Sequence, residues 1–295
     1  MTLAQLVQAS ALELDTADLS FGHGTLNAHD EAAWLVLWRL GLALDTEIDD
    51  RPVSAAQQSQ VQALIAQRIA TRRPAAYLTH EAWLQGVPFY VDERAIVPRS
   101  LIAEVLADGT IDAWLSEETH EVLDLCTGNG SLAVLAALAW PGVQVTGADI
   151  SSEALAVARI NVDRHGLQER VRLLESDGLS SLPGPFDLIL CNPPYVCQAS
   201  MDVLPAEYRA EPALALAGGP DGMDFVRQLF QEAPARMREH AVLVLEIGNE
   251  FSHFIAAFPH LEVAWLDTSA GDDQVLLVTR QALSCLQERS ATANP

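Results

Sequence analysis

The chain has 295 residues, 49% of them hydrophobic and 19% charged, which is enough to bury the core of one large domain or two modest ones and excludes a disordered protein. Seventeen basic against forty acidic residues leave a net charge of −23, and every basic residue is arginine; such a surface repels phosphate backbones, disfavours extended nucleic-acid binding and suits a basic protein partner. The start, MTLAQLVQAS, lacks the basic segment of a secretory signal, and the longest apolar run, AAWLVLWRLGLAL, is broken by Arg39 and too short for a bilayer, so a cytoplasmic protein is expected.

The stretch AHDEAAWLVLWRLGL carries apolar residues at helical spacing, with Asp30 and Glu31 at its start, where the helix dipole favours acids. VSAAQQSQVQALIAQRIATRR predicts a second helix, capped by Ser54, with Val61, Leu64, Ile65 and Ile69 on one face and Pro74 at its end. The segments AWL, FYV and AIV, separated by Gly-Val-Pro and Asp-Glu-Arg, predict a short β-hairpin. Residues 1–100 therefore read as a helical domain with a hairpin and no catalytic motif of its own.

From Glu121 the pattern changes. EVLDLC, VQVTGAD, RVRLLE, FDLILC and AVLVLEI are short apolar runs, and Ala/Leu-rich helical stretches separate the first three. That alternation predicts an α/β domain over residues 101–295, with a parallel sheet covered by helices on both faces. LEVAWLD and DQVLLVTR predict an antiparallel edge pair turning at Gly271, and the last ten residues, LQERSATANP, are expected to fray. The four cysteines, Cys126, Cys191, Cys197 and Cys285, show no metal-ligand spacing and read as reduced, mostly buried thiols. His23, His29 and His165 have no partners at metal spacing either and read as surface or structural residues; no metal is called for. Trp34, Trp38 and Trp83 read as core or interdomain packing.

The first chemical constellation follows the first strand of that sheet: Asp124-Leu125-Cys126-Thr127-Gly128-Asn129-Gly130-Ser131. Glycines at 128 and 130 allow a tight turn and close backbone approach to a ligand, and a helix opening at Ser131 points N–H groups at the same spot. The second strand ends at Asp149-Ile150, where a carboxylate can accept from ribose hydroxyls. This much fits a dinucleotide as well. Two further features favour S-adenosylmethionine: Asp124, which a pyrophosphate would repel and an amino-acid head would not, and Asp177-Gly178 closing the third strand, where Asp177 can bond an adenine amino group. The candidate cofactor residues are thus Asp124, Thr127, Gly128, Asn129, Gly130, Asp149, Ile150, Asp177, Gly178 and Asn192.

The fourth strand ends at Asn192-Pro193-Pro194-Tyr195 on the same edge. Two prolines fix φ twice and leave their carbonyls free, and Asn192 before them is held extended, which makes a rigid fixture that presents acceptors. The order of glycine turn, acidic strand ends and Asn-Pro-Pro-Tyr resembles amino-group methyltransferases. DNA adenine enzymes share the tetrapeptide, but the charge of −23 argues against a duplex partner.

Further blocks sharpen the resemblance. Arg72-Arg73-Pro74-Ala75-Ala76-Tyr77-Leu78-Thr79, Phe89-Tyr90-Val91-Asp92-Glu93-Arg94, Val97-Pro98-Arg99-Ser100 and the stretch from Glu211 to Gly222, EPALALAGGPDG, resemble the protein-glutamine N5-methyltransferases, covering residues 68–280. Of the two main bacterial branches, PRSLIAE and FYVDER resemble the one acting on large-subunit ribosomal protein three; the branch acting on the Gly-Gly-Gln loop of peptide release factors is the alternative. Asn129 and Ser131 stand where Ser and Cys are common in the family.

The resemblance implies a seven-strand, Rossmann-like class I methyltransferase domain behind an N-terminal substrate-recognition domain. It implies methyl transfer from S-adenosylmethionine to a glutamine side-chain nitrogen. Asn192 and the Pro193 carbonyl would accept the two amide N–H bonds and Tyr195 would pack on the planar group, with Pro194 and Arg99 completing the substrate-binding set; Arg99 stands equally well as an ordering residue of the cofactor turn. A nicotinamide-dependent reductase or a non-catalytic ribosome-assembly factor are the rival classes, and neither accounts for Asn192.

Overall fold

The structure, a computed structural model, describes residues 1–292. The N-terminal region packs helices Leu3–Thr16, Ala28–Leu40 and Ala55–Thr71 around one apolar cluster, to which Val61 and Ile65 contribute fully buried side chains. Asn27 and Ser54 cap the second and third helices by accepting from the N–H three residues on. Glu31 does not serve the dipole on the surface as expected: it is buried, and its Oε1 accepts from Arg68 Nε at 2.8 Å. The third helix stops at Thr71 on a left-handed Arg72, and Pro74 begins the next helix, Ala75–Thr79, rather than ending the previous one.

Two short strands follow, β1 (Ala82–Leu84) and β2 (Val87–Phe89), paired antiparallel around Gln85-Gly86, both at positive φ. The expected hairpin is thus shorter and turns earlier. Pro88 sits within β2, which a strand with one neighbour tolerates because no second ladder needs its N–H, and Ala95–Val97 form no strand.

The large sheet has seven strands in the order β5-β4-β3-β6-β7-β9-β8, where β3 is Glu121–Leu125, β4 Gln144–Asp149, β5 Val171–Glu175, β6 Phe186–Cys191, β7 Met237–Glu246, β8 Ala264–Thr268 and β9 Gly271–Thr279. β3 to β7 pair in parallel; β9 runs antiparallel between β7 and the edge strand β8. The central strands are buried on both faces, so they read as largely apolar runs rather than alternating ones, and one apolar cluster lies on each side of the sheet. The strand order reverses between β3 and β6, which opens a crevice at their carboxyl ends. The final helix, Arg280–Thr292, is formed where fraying was expected, with Leu283 fully buried against the sheet; residues 293–295 of that expectation lie outside the described residues.

Candidate active site

β3 leads into a turn that the sequence builds from its own side chains. Asp124 is 1% exposed, and its Oδ2 accepts from the Thr127 hydroxyl at 2.5 Å and from the Ala133 N–H at 2.8 Å. One carboxylate oxygen thereby ties the turn to helix Ser131–Ala139. The Ser131 N–H goes to Asn129 Oδ1 at 3.2 Å, so two donors that a helix start would offer a ligand are already taken. Cys126, Gly128 and Gly130 all hold positive φ, and a Cβ on Gly130 would lie 3.0 Å from that of Ala158, so helix Ser152–Arg164 packs directly on this glycine.

The other Asp124 oxygen, Oδ1, is buried without a partner, and so is the side-chain nitrogen of Asn129. Both residues line one small cavity with Arg99, Thr127 and Asn192. Burial pushes the Asp124 carboxyl up to about 7, against the bonds from Thr127 and Ala133 that favour its charged form. At the end of β4, Asp149 accepts from the Gly128 N–H through Oδ2 and from the Ser151 N–H through Oδ1, both at 2.9 Å. Its carboxyl is also raised by burial. Asp149 borders a larger, mostly apolar cavity, with Ile150, Asp177, Gly178, Leu214 and Phe225 around it.

Asn192 lines that larger cavity, the small one beside Asp124, and a third, the groove holding Pro193 and Tyr195. The tetrapeptide is held from behind. Tyr195 donates its hydroxyl to Glu246 Oε1 at 3.0 Å, while Glu246 Oε2 accepts from the Ser100 hydroxyl and the Leu101 N–H. Burial, followed by the neighbouring Glu246 charge, raises the Tyr195 phenol well above its ordinary range, so it stays protonated near neutral pH. Val196 bridges to Ala217, and the glycines beyond fit against the tetrapeptide: a Cβ at Gly218 would stand 2.7 Å from the Tyr195 Cα, and one at Gly222 would collide with the Tyr195 carbonyl oxygen.

Arg99 reaches the same groove but spends its guanidinium on Glu211, through two bonds of 2.7 Å, and on the Val97 carbonyl. Its geometry is that of an ordering residue on the groove wall. Burial works against the Glu211 charge, yet Arg99 and His23 hold its carboxyl down to about 2. His23 is buried 3.5 Å from Glu211, His29 is exposed beside Asp30, and His165 meets the Pro88 carbonyl. Trp34 is buried, but Trp83 is 42% exposed and bonds Glu81, so the packing role expected of it fails. All four cysteines are free; Cys285 is exposed. Cys197, Glu250 and His253 bring ligand atoms within 4.8 Å of one another, but the Glu250 oxygens already face the Cys197 N–H and the His253 ring.

Sequence reasoning missed Glu246 and Glu207, and it singled out Glu211 only as the start of a family block, without a role. The signal for Glu246 was present: β7 ends in an acid at the same carboxyl edge as β3 and β4.

Comparison with known proteins bears on the family and the fold. The family model "Methyltransferase small domain" matches residues 107–245. Curated relatives include the "Ribosomal protein uL3 glutamine methyltransferase" of Bordetella pertussis, 51% identical with 96% of each chain covered. The proteins of the same name from Burkholderia pseudomallei and Neisseria meningitidis serogroup B are 49% and 45% identical, covering 94% and 96% of this chain and 94% of each relative. Among solved structures, the hMettl16 catalytic domain in complex with the MAT2A 3'UTR hairpin 6 superimposes with a TM-score of 0.51 at 10% identity, over 76% of this chain and 81% of that one. That likeness supports the class I methyltransferase fold and nothing finer.

Proposed function

The chain belongs to the ribosomal protein uL3 glutamine methyltransferases, and from that membership we propose how its site performs the reaction. The reaction is transfer of a methyl group to the side-chain amide nitrogen of a glutamine in uL3, the large-subunit ribosomal protein three. The observation that carries this reading is Asn192, which stands where the three cavities meet.

The residues present fit S-adenosylmethionine as the methyl donor. Two buried side-chain atoms lack partners in the small cavity, the acceptor Asp124 Oδ1 and the donor Asn129 Nδ2. An amino-acid head offers an ammonium to the first and a carboxylate to the second. Asp149, with lone pairs left beyond its two backbone bonds, would take the ribose hydroxyls, with Thr127, Gly128 and Gly130 shaping the turn beside it. Ile150, Asp177 and Gly178 would take the adenine end. When bound, the cofactor supplies an electrophilic methyl group on a sulfonium.

The rest of the work falls to the tetrapeptide. An amide nitrogen is a poor nucleophile because its lone pair is delocalised into the carbonyl. In this reading the Asn192 side-chain oxygen and the Pro193 carbonyl accept its two N–H bonds, aiming the nitrogen at the methyl carbon, and Tyr195 packs on the planar group. Pro194 stiffens the grip, and no general base is needed because the methylated, positively charged amide sheds its proton to water. The N-terminal region, residues 1–100, would present the protein substrate, and the charge of −23 suits a basic ribosomal protein met in the cytoplasm.

The test is methyl incorporation from labelled S-adenosylmethionine into separated ribosomal proteins and release factors, followed by mass mapping. Label on one glutamine of uL3 is expected. Label on a release-factor Gly-Gly-Gln loop instead would overturn the substrate assignment.

A further inference from the structure

The segment after the tetrapeptide serves both cavities at once. It runs through the short helices Gln198–Met201 and Ala206–Arg209. It gives Pro212 and Leu214 to the cofactor cavity, and Leu204, Tyr208 and Leu216 to the groove. A wall with so little regular structure needs something to fix it, and two buried carboxylates do so. Glu207 is fully buried; its Oε1 lies 2.9 Å from Arg72 Nη2 and 3.6 Å from Arg68 Nη1. Glu211 is gripped by Arg99, accepts from the Val97 N–H at 2.9 Å, and faces His23. Between them Tyr208 packs its ring on His23, with centroids 4.3 Å apart, under the Arg99 guanidinium.

Every cation on these carboxylates comes from residues 1–100, and the carboxylates themselves belong to the methyltransferase half. Removing one partner of a buried pair strands the other charge away from water. The far end of the segment is tied to the tetrapeptide by the Val196–Ala217 bridge, whereas Glu207 and Glu211 tie its middle to the N-terminal region.

We propose that the N-terminal region completes the methyl-transfer site through this double ion latch, with Glu207 and Arg72 as positioning residues that set the shared wall of the cofactor cavity and the substrate groove. The proposal rests on the functional reading above for its substrate, but its cofactor arm does not. Arg72 suits the role: from the end of helix Ala55–Thr71 its guanidinium donates both to the Asp18 carbonyl and to Glu207 Oε2, which joins the N-terminal region to the segment.

The experiment measures S-adenosylmethionine affinity by calorimetry, kcat and KM with uL3, and the thermal midpoint, for Glu207→Gln, Arg72→Gln and Arg72→Lys, well below unfolding. With circular dichroism unchanged, Glu207→Gln and Arg72→Gln are expected to weaken cofactor binding about 3- to 10-fold and lower kcat at least ~10-fold, the scale of a misplaced wall. Arg72→Lys should recover part of both. If Glu207→Gln does not fold, Arg72→Gln, whose side chain is 35% exposed, decides by the same readouts. Folded variants with wild-type affinity and kcat, whatever their thermal midpoint, would overturn the latch. A wild-type enzyme that binds cofactor but leaves uL3 unlabelled would instead overturn the substrate assignment, with the affinity arm still deciding the latch.

Discussion

At the scale of single residues, Asp124 carries a conflict that a ligand can resolve. Its Oδ1 is buried without a partner, and burial has pushed the carboxyl up to about 7. Because that value lies above the ordinary 3.8, the ligand-free protein loses stability as pH rises through about 7. A cofactor ammonium would relieve the penalty by favouring the ionised form. Binding then needs Asp124 charged and the amino group protonated, and an ordinary α-amino group titrates near 7.7–8.0. Affinity for S-adenosylmethionine should therefore climb from about pH 6 and peak between about 7 and 8. Asp124→Asn should weaken binding by about 1.5–3 kcal/mol and remove the acidic limb. Calorimetry across pH checks both; a flat wild-type profile would refute the role given to Asp124. Asp124, Asp149 and Asn192 were legible in the sequence because each stands at the carboxyl end of a largely apolar strand-like run, although Asp124 and Asp149 turn out to be the last polar residues within β3 and β4 rather than residues beyond them. Arg68 and Glu207 were not. Charged residues are rarely fully buried, so both read as surface, and their proximity depends on a fold that joins positions far apart in the chain.

At the scale of elements, the stretch from Glu211 to Gly222 acts as the mould of the tetrapeptide. Gly222 has φ +77 and faces the Tyr195 carbonyl, and Gly218 lies against the Pro194 carbonyl, so neither position accepts a side chain without moving the Pro194-Tyr195 end of the tetrapeptide. Gly222→Ala is expected to cut methyl transfer by roughly 10²-fold, the cost of about 1 Å of misplacement, with little change in cofactor affinity. Transfer rates beside calorimetric affinities test this, and an unimpaired rate would show that the mould is dispensable. The five parallel strands were readable from their apolar runs. The hairpin and its first strand, Ala82–Leu84, were readable too, but its second strand was placed too late, because Pro88 reads as a breaker and only its place in a two-stranded pair, with one side free, makes it compatible with β2.

At the scale of the whole molecule, the charge of −23 and the absence of lysine lead to an expectation about how a basic substrate would arrive. The KM for uL3 should rise with ionic strength between low and physiological salt while kcat changes little, since screening acts on encounter and not on the buried grip. A salt-independent KM would remove charge from the account. On the proposed reading, steering brings the substrate, the latch and Glu246 fix the wall and the tetrapeptide, and Asn192 performs the orientation on which transfer would depend. The most direct test of that last claim is single-turnover methyl transfer to purified uL3 by Asn192→Ala and Asn192→Asp, with S-adenosylmethionine affinity measured beside it. Cofactor affinity should stay nearly unchanged, transfer by Asn192→Ala should fall about 10²- to 10³-fold, and Asn192→Asp, which keeps an acceptor in place, should retain more activity than Ala. Near wild-type turnover by Asn192→Ala would contradict the account.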